Sequence, residues 1–437
     1  MVNGISRRQV VAGLSTGVLL GSIAGLSGCA SQQTPQPVGK VRLTVSTWGS
    51  VDELRVRKEL LQQFQKEHAA VHVSFQPVDF GHFYDKLQTQ MAGGDAPDLF
   101  YLGADHFPAF VVKQVLLPTS PFIRRDKYSL ADFWPGPLQE YAAAGVQYGF
   151  PRGVAADVLF TNVDLFRKMG VPLPSVHWSD TSWNWQTFVQ RTKQLTQGNG
   201  NTKTYGYVIN MGFYGWEPWV LQNGGTMLSP DLKSCTMTDP KTVAALQFLQ
   251  DLVFKYHVSP TPAELTTQGA FQLFSSGKVG LTVGIRAALS QFQAIKSFTW
   301  DLAPFPRGTA GAATALQGVG YCLFKGTKFP DQDWELLRFL SSVPAEQKEM
   351  QTGTVMPARI SVCKSKEFLK PPPAHAEIFL TAMQYAQKPP LNPQWPKVVN
   401  VFNKELSRLW DNSASASSVC QRIVPQVNAI LHSAASA

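Results

Sequence analysis

Val41-Arg-Leu-Thr-Val-Ser-Thr-Trp48 is an alternating, β-branched run, and together with the sixty residues after it this stretch decides the fold. Leu54, Leu60, Leu61 and Phe64 lay one apolar stripe along a helix from Leu54 to His68, and Val71-His-Val-Ser-Phe75 alternates again as a second strand. A helical stretch from Phe80 to Met91, the turn Gly93-Gly-Asp-Ala-Pro-Asp98 and the apolar Leu99-Phe-Tyr-Leu102 complete the unit. A sandwich shows strands without helices and a bundle shows the reverse. Strands and helices in alternation predict an α/β fold with parallel strands.

Further along, Tyr148-Gly-Phe-Pro151 leads to an extended Val158-Leu-Phe-Thr161 and a helix at Asp164-Leu-Phe-Arg-Lys-Met169. Trp185 to Leu195 and Val243 to Tyr256 have amphipathic spacing, the second capped by Thr238 or Asp239 ahead of Pro240. A helix from Gln268 to Phe274 ends at Gly277, and a strand from Val279 to Val283 reaches Gly284. Gln332–Ser341, Ala376–Ala386, Val398–Trp410 and Ser418–Leu431 make the remainder rich in helix. No internal repeat and no long low-complexity tract is present.

The first residues read differently. Ser6-Arg7-Arg8-Gln9 sets paired arginines before an apolar run, no charged side chain occurs from Gln9 to Gly39, and the run closes on Leu26-Ser27-Gly28-Cys29. This is the pattern of a signal peptide of the twin-arginine type over residues 1–28. Leu-Ser-Gly-Cys resembles a bacterial lipobox, in which the Cys29 thiol is acylated and becomes the new N-terminus. A membrane span is the alternative, but Val10 to Gly28 is broken by Gly and Ser and barely reaches spanning length. Residues 29–40 then form a polar tether. The expected location is the outer face of the cytoplasmic membrane, or the periplasm where the cell has an outer membrane, with contact to lipid through the anchor alone.

The 437 residues are 44% hydrophobic and 16% charged, an ordinary globular composition, and exceed what one core usually serves, so two lobes are expected. The net charge of +9 is scattered. Arg55-Val56-Arg57-Lys58 and Arg124-Arg125-Asp126-Lys127 are short and adjoin acids, which fits solvated helix faces and not a nucleic-acid stripe. Cys235, Cys322, Cys363 and Cys420 lack metal-ligand or CxxC spacing. Disulfides in any of three pairings, or buried free thiols, remain open. The only GxSxG, Gly13-Leu-Ser-Thr-Gly17, falls in the signal peptide. No HExxH, P-loop or dinucleotide fingerprint occurs, no carboxylate pair stands in a recognisable catalytic setting, and no enzyme activity, metal or cofactor is expected.

Several motifs in order carry a resemblance. Gly94-Asp-Ala-Pro-Asp98, Val115-Leu-Leu-Pro118 and Tyr148-Gly-Phe-Pro151 with Val158-Leu-Phe-Thr-Asn162-Val-Asp-Leu-Phe166 and Gly170 come first. Ser182-Trp-Asn-Trp185, Trp219-Val-Leu-Gln-Asn-Gly-Gly225, Phe274-Ser-Ser-Gly277-Lys-Val-Gly280 and Val355-Met-Pro-Ala-Arg359 come after them. From about Val41 to its C-terminus the chain resembles the extracellular solute-binding proteins of ATP-driven sugar importers, the maltodextrin-binding type. The resemblance implies a two-lobed periplasmic-binding-protein-like α/β fold, with a hinge and a ligand cleft between the lobes. It places one lobe at 41–151 plus 285–325 and the other at 152–284 plus 326–437. A carbohydrate ligand, the membrane subunits of an ABC importer as partners, and a monomer are implied with it.

A sugar pocket wants flat aromatic platforms and a few polar groups. Trp48, Asp105, Tyr214 and Trp216 fall at strand ends or in loops of the two lobes, with Trp219 at a helix start and more readily a core residue. Arg152 follows the Pro151 crossing, Arg286 stands where many relatives have Trp, and Arg359 closes the Pro-Ala-Arg element. A guanidinium fork suits vicinal hydroxyls, carboxylate or phosphate, which keeps a sugar acid, sugar phosphate or glycerol phosphate as alternative ligands.

Overall fold

β1 (Val41–Thr47), α1 (Val51–Glu67), β2 (Val71–Pro77), α2 (Phe80–Gly93) and β3 (Leu99–Gly103) succeed one another as the alternation predicts. They belong to a computed structural model that describes residues 41–266 and 268–433. The signal peptide, Cys29 and the tether lie outside the described residues. Ser50 and Glu53 cap each other's backbone at the start of α1. Asp79 caps α2, and Gly94 at φ 73° ends it in the left-handed conformation that glycine tolerates. β1 runs parallel to both β2 and β3, and Asp98 of the turn accepts a 2.7 Å bond from the Thr44 backbone.

The rest of the chain adds β4 (Gly149–Ala156), β5 (Val158–Asn162), α3 (Trp185–Leu195), β6 (Tyr205–Val208), α4 (Phe213–Gln222) and α5 (Pro240–Phe254). β7 (Val279–Gly284), β8 (Trp300–Ala303), β9 (Thr314–Leu323), α6 (Pro330–Leu340), α7 (Val343–Met350), β10 (Met356–Pro357), α8 (Trp395–Trp410) and α9 (Ala416–Ser433) complete it. The larger sheet has the order β10-β4-β9-β3-β1-β2, and the smaller has β8-β5-β7-β6. The chain leaves the larger sheet at Ala156 and enters the smaller at Val158, so Asp157 is the crossing residue; it returns between β8 and β9.

These pairings correct the expected lobe boundaries. β8, assigned from sequence to the first lobe, is antiparallel to β5 in the smaller sheet. β4 lies wholly in the larger sheet, paired with β9 on both sides of Arg152, from Gly149 to Pro151 and from Gly153 to Ala156. α6 and α7, expected in the second lobe, pack on α1, where Arg57 and Glu349 meet at 2.8 Å. Of the C-terminal helices, α8 and α9 do join the second lobe, against α4 and α5. Two helices start earlier than expected, α8 at Trp395 and α4 at Phe213 rather than Trp219. The structure closes the cysteine question with four buried free thiols. Burial pushes Cys235 up to about 11 and Cys363 and Cys420 up to about 12, which keeps them protonated and unreactive.

Candidate functional site

Strand ends of both sheets converge on a cleft of about 560 Å³, within the range of small-molecule sites. From the larger sheet come Trp48 just beyond β1, Gly103 and Asp105 at β3, Arg152 to Ala155 of β4, and Gln317 to Val319 of β9. From the smaller-sheet side come Tyr214 in the first turn of α4, Ile285 just past β7, and Ser290.

One wall is aromatic. Trp48 meets Phe80 at 5.3 Å, Phe83 at 4.7 Å and Tyr101 at 5.1 Å, all edge to face. Phe80 lines the cleft yet remains 61% exposed, a large apolar side chain left uncovered. Beside it Tyr84 stacks flat on His106 at 3.6 Å, and its hydroxyl accepts a 3.0 Å bond from the Gly103 amide.

The adjoining corner, behind Trp48 and Tyr101, is ionic and self-satisfied. Between β4 and β9 the register jumps, with Val319 opposite Gly153 but Gly320 opposite Pro151, so Arg152 is the extra residue of a bulge. The bulge aims its guanidinium at Glu349 (2.7 Å) and Glu53 (3.0 Å). Arg57, fully buried on α1, shares Glu349 and also donates to the Thr47 hydroxyl and the Trp48 carbonyl. For Glu53, burial works against ionisation, but Arg152, the Ser50 amide and Arg57 outweigh it and hold the carboxyl at about 2. Two arginines and two carboxylates thus cancel, and none of them offers a free charge to a ligand.

Of the residues expected from sequence, Trp48, Asp105, Arg152 and Tyr214 line this cleft. Trp216 does not: it is wholly buried against Phe213 and Phe402, because α4 begins before it and turns it inward. Trp219 is likewise in the core. Arg286 sits between the lining residues Ile285 and Ala287 but points away, 3.9 Å over the Phe368 ring with its Nε donating to the Val355 carbonyl, and burial lowers it to about 10. Arg359 is spent elsewhere on the larger lobe, bonded to Ser341, Asp132 and the Tyr128 hydroxyl. Phe80, Tyr84, Glu53 and Gln317 were not foreseen. The Ser50-x-x-Glu53 spacing and the Asp79 cap were readable signals that α1 and α2 begin at the cleft rim.

The strand-end cleft between two α/β lobes is the architecture of a binding protein, and comparison agrees. The family of bacterial extracellular solute-binding proteins matches residues 48–347, and the chain belongs to it. A binding protein of Brucella abortus is 21% identical over 414 residues, covering 94% of this chain and 98% of its own. The diacetylchitobiose binding protein of Streptomyces coelicolor is 23% identical over 409 residues, 90% of this chain and 91% of its own. An ABC substrate-binding protein of Listeria monocytogenes, solved in complex with cycloalternan, superposes with a TM-score of 0.80 at 25% identity over 90% of this chain and 99% of its own. Among the described residues no helix is long and apolar enough to cross a membrane.

Proposed function

We propose that this protein captures a carbohydrate in the cleft and hands it to the membrane subunits of an ABC importer, tethered to the membrane by a lipid on Cys29. The observation that carries the reading is the exposed Phe80 set edge-on to Trp48, with Tyr214 and the Gln317 amide lining the same cleft. Aromatic faces suit the C–H faces of a sugar ring, and an amide suits its hydroxyls. The ligands named for the Listeria and Streptomyces relatives, cycloalternan and diacetylchitobiose, support the same class. A solute touching Trp48 on one side and Tyr214 on the other would bridge the two lobes and favour their closure. The sugar-acid and sugar-phosphate readings lose their motive, since Arg152 is neutralised and Arg286 and Arg359 do not line the cleft.

Calorimetry against a panel of neutral mono- and oligosaccharides tests this. At least one should bind, and Phe80→Ala should weaken it about two- to twelvefold, from roughly 0.5–1.5 kcal/mol of aromatic contact, while the melting temperature stays put. Tight binding of a peptide or metal ion with no carbohydrate bound, or release of new reducing ends from a glycan, would overturn the reading. The anchor is checked separately by mass spectrometry of protein from its native membrane. The expected N-terminus is diacylglycerol-modified Cys29, and retention of Leu26 and Ser27 would refute it.

A further inference from the structure

At the Tyr214 end of the cleft, carboxyl groups outnumber the cations beside them. Asp105 faces the cavity with its side chain 35% exposed, and its Oδ1 lies 3.0 Å from His106 Nδ1. Directly behind the cleft-lining Gly318 sits Glu140, 1% exposed, with both oxygens lacking a hydrogen-bond partner among the described residues. Its Oε2 lies 2.7 Å from where a Cβ on Gly318 would stand, so this carboxyl packs directly against a residue that lines the cavity. Glu217, one turn of α4 beyond Tyr214, is wholly buried with both oxygens equally unpartnered. Asp157, at the crossing between the sheets, receives a 2.6 Å bond from Gln317 Nε2, and Gln317 itself lines the cleft.

No arginine or lysine is salt-bridged to any of these acids among the described residues. Lys388 lies near enough to Glu140 to ease its ionisation, and His106 attends Asp105; no other cation acts on Glu140. Burial, with the neighbouring acids adding to it, pushes Glu140 up to about 8 and Glu217 well above the carboxylate range, and burial alone lifts Asp157 to about 7. A buried carboxyl without a partner is unfavourable, and a cation arriving beside it relieves that.

We infer that this end of the cleft receives a positively charged group, so that the solute is a saccharide bearing an ammonium group, in contact with Asp105 and close enough to Glu140, behind Gly318, to draw that carboxyl into its ionised form. The inference rests on the carbohydrate reading and adds the charge of that ligand.

Calorimetry on the full chain with three probes of equal length tests it: the trimer of glucosamine, its N-acetylated counterpart, and a trimer of galacturonic acid. The glucosamine trimer should bind at least tenfold more tightly than the neutral trimer, and the uronate trimer at least tenfold more weakly. The spread should narrow as salt is raised. Glu140→Gln, which keeps the shape but cannot ionise when a cation arrives, should shrink the ratio of cationic to neutral affinity several-fold. Should that variant fail to fold, Asp105→Asn at the partly exposed wall should shrink the same ratio. Equal affinities for the cationic and neutral trimers, or a uronate that binds best, would overturn the inference and leave the carbohydrate reading standing. If none of the trimers binds and no neutral saccharide of the panel does either, both readings fall.

Discussion

Glu349→Ala is expected to lower the free energy of unfolding by about 3–5 kcal/mol, the scale on which breaking a buried ion pair by removing one partner destabilises a protein. The carboxylate is a single acceptor for two buried guanidiniums. Arg57 reaches Oε1 through Nη2 at 2.8 Å and Nε at 3.2 Å, Arg152 reaches Oε2 at 2.7 Å, and the Tyr321 hydroxyl adds a bond of 3.3 Å. Without it, Glu53 is left as the one carboxylate paired to Arg152, and Arg57 keeps only neutral acceptors and the Tyr101 ring, 4.5 Å from its guanidinium carbon. Glu349→Gln should lose less, because the amide oxygen still accepts. Chemical denaturation measures both, and a loss below about 1 kcal/mol for the alanine variant would show that the fold does not depend on this cluster.

The same cluster sets an acid limit. Burial alone would raise Glu349, but Arg152 and Arg57 prevail and depress it; Glu53 is depressed to about 2. Carboxyls depressed in the folded state stabilise it fully above their unfolded values. That contribution fades as pH falls, for Glu53 from about 4.5 toward about 2. Because Arg57 also holds the Trp48 carbonyl and Arg152 lines the cleft, acid should loosen the ionic corner of the site together with the fold.

What could be read from the sequence divides along physical lines. β1 and β2 were legible because their apolar residues alternate, β3 because it is an unbroken apolar run buried throughout, and the helices between them carry clear stripes and caps. β9 was not, since Gly318 and Gly320 in Thr314–Leu323 look like turn residues. The structure uses both for close approach, with the Tyr141 ring 2.6 Å from a Cβ on Gly320 and Glu140 in the same relation to Gly318. β4 hid for a similar reason, as Pro151 and two glycines argue against a central strand until the bulge at Arg152 is seen to absorb them. Arg152 was found by its place in a motif, yet its partners Glu53 and Glu349 lie 99 and 197 residues away, beyond any local pattern. That these acids are buried could not be read, because nothing in a sequence marks a carboxyl as buried; for Glu217 the burial comes with the packing of α4 on β9.

Trp216 shows how a correct neighbourhood can yield a wrong contact. Residues two apart on a helix point about 200° from each other, so Tyr214 and Trp216 cannot both face the cleft once α4 starts at Phe213. Phe213 and Trp216, three apart, share the inward face and meet edge to face at 5.1 Å, and both pack on Phe402 of α8. Trp216→Ala should therefore lower stability by about 3–5 kcal/mol, the range for emptying a buried tryptophan site. The dissociation constant for saccharide, measured well below the melting temperature, should change little. Tyr214→Ala should do the opposite, weakening saccharide binding several-fold with a smaller loss of stability, because its side chain stands at the cleft wall. Denaturation and calorimetry on the same two variants separate the roles. A Trp216→Ala protein that keeps its melting temperature but loses its ligand would return the indole to the binding site and refute the burial that α4 imposes on it.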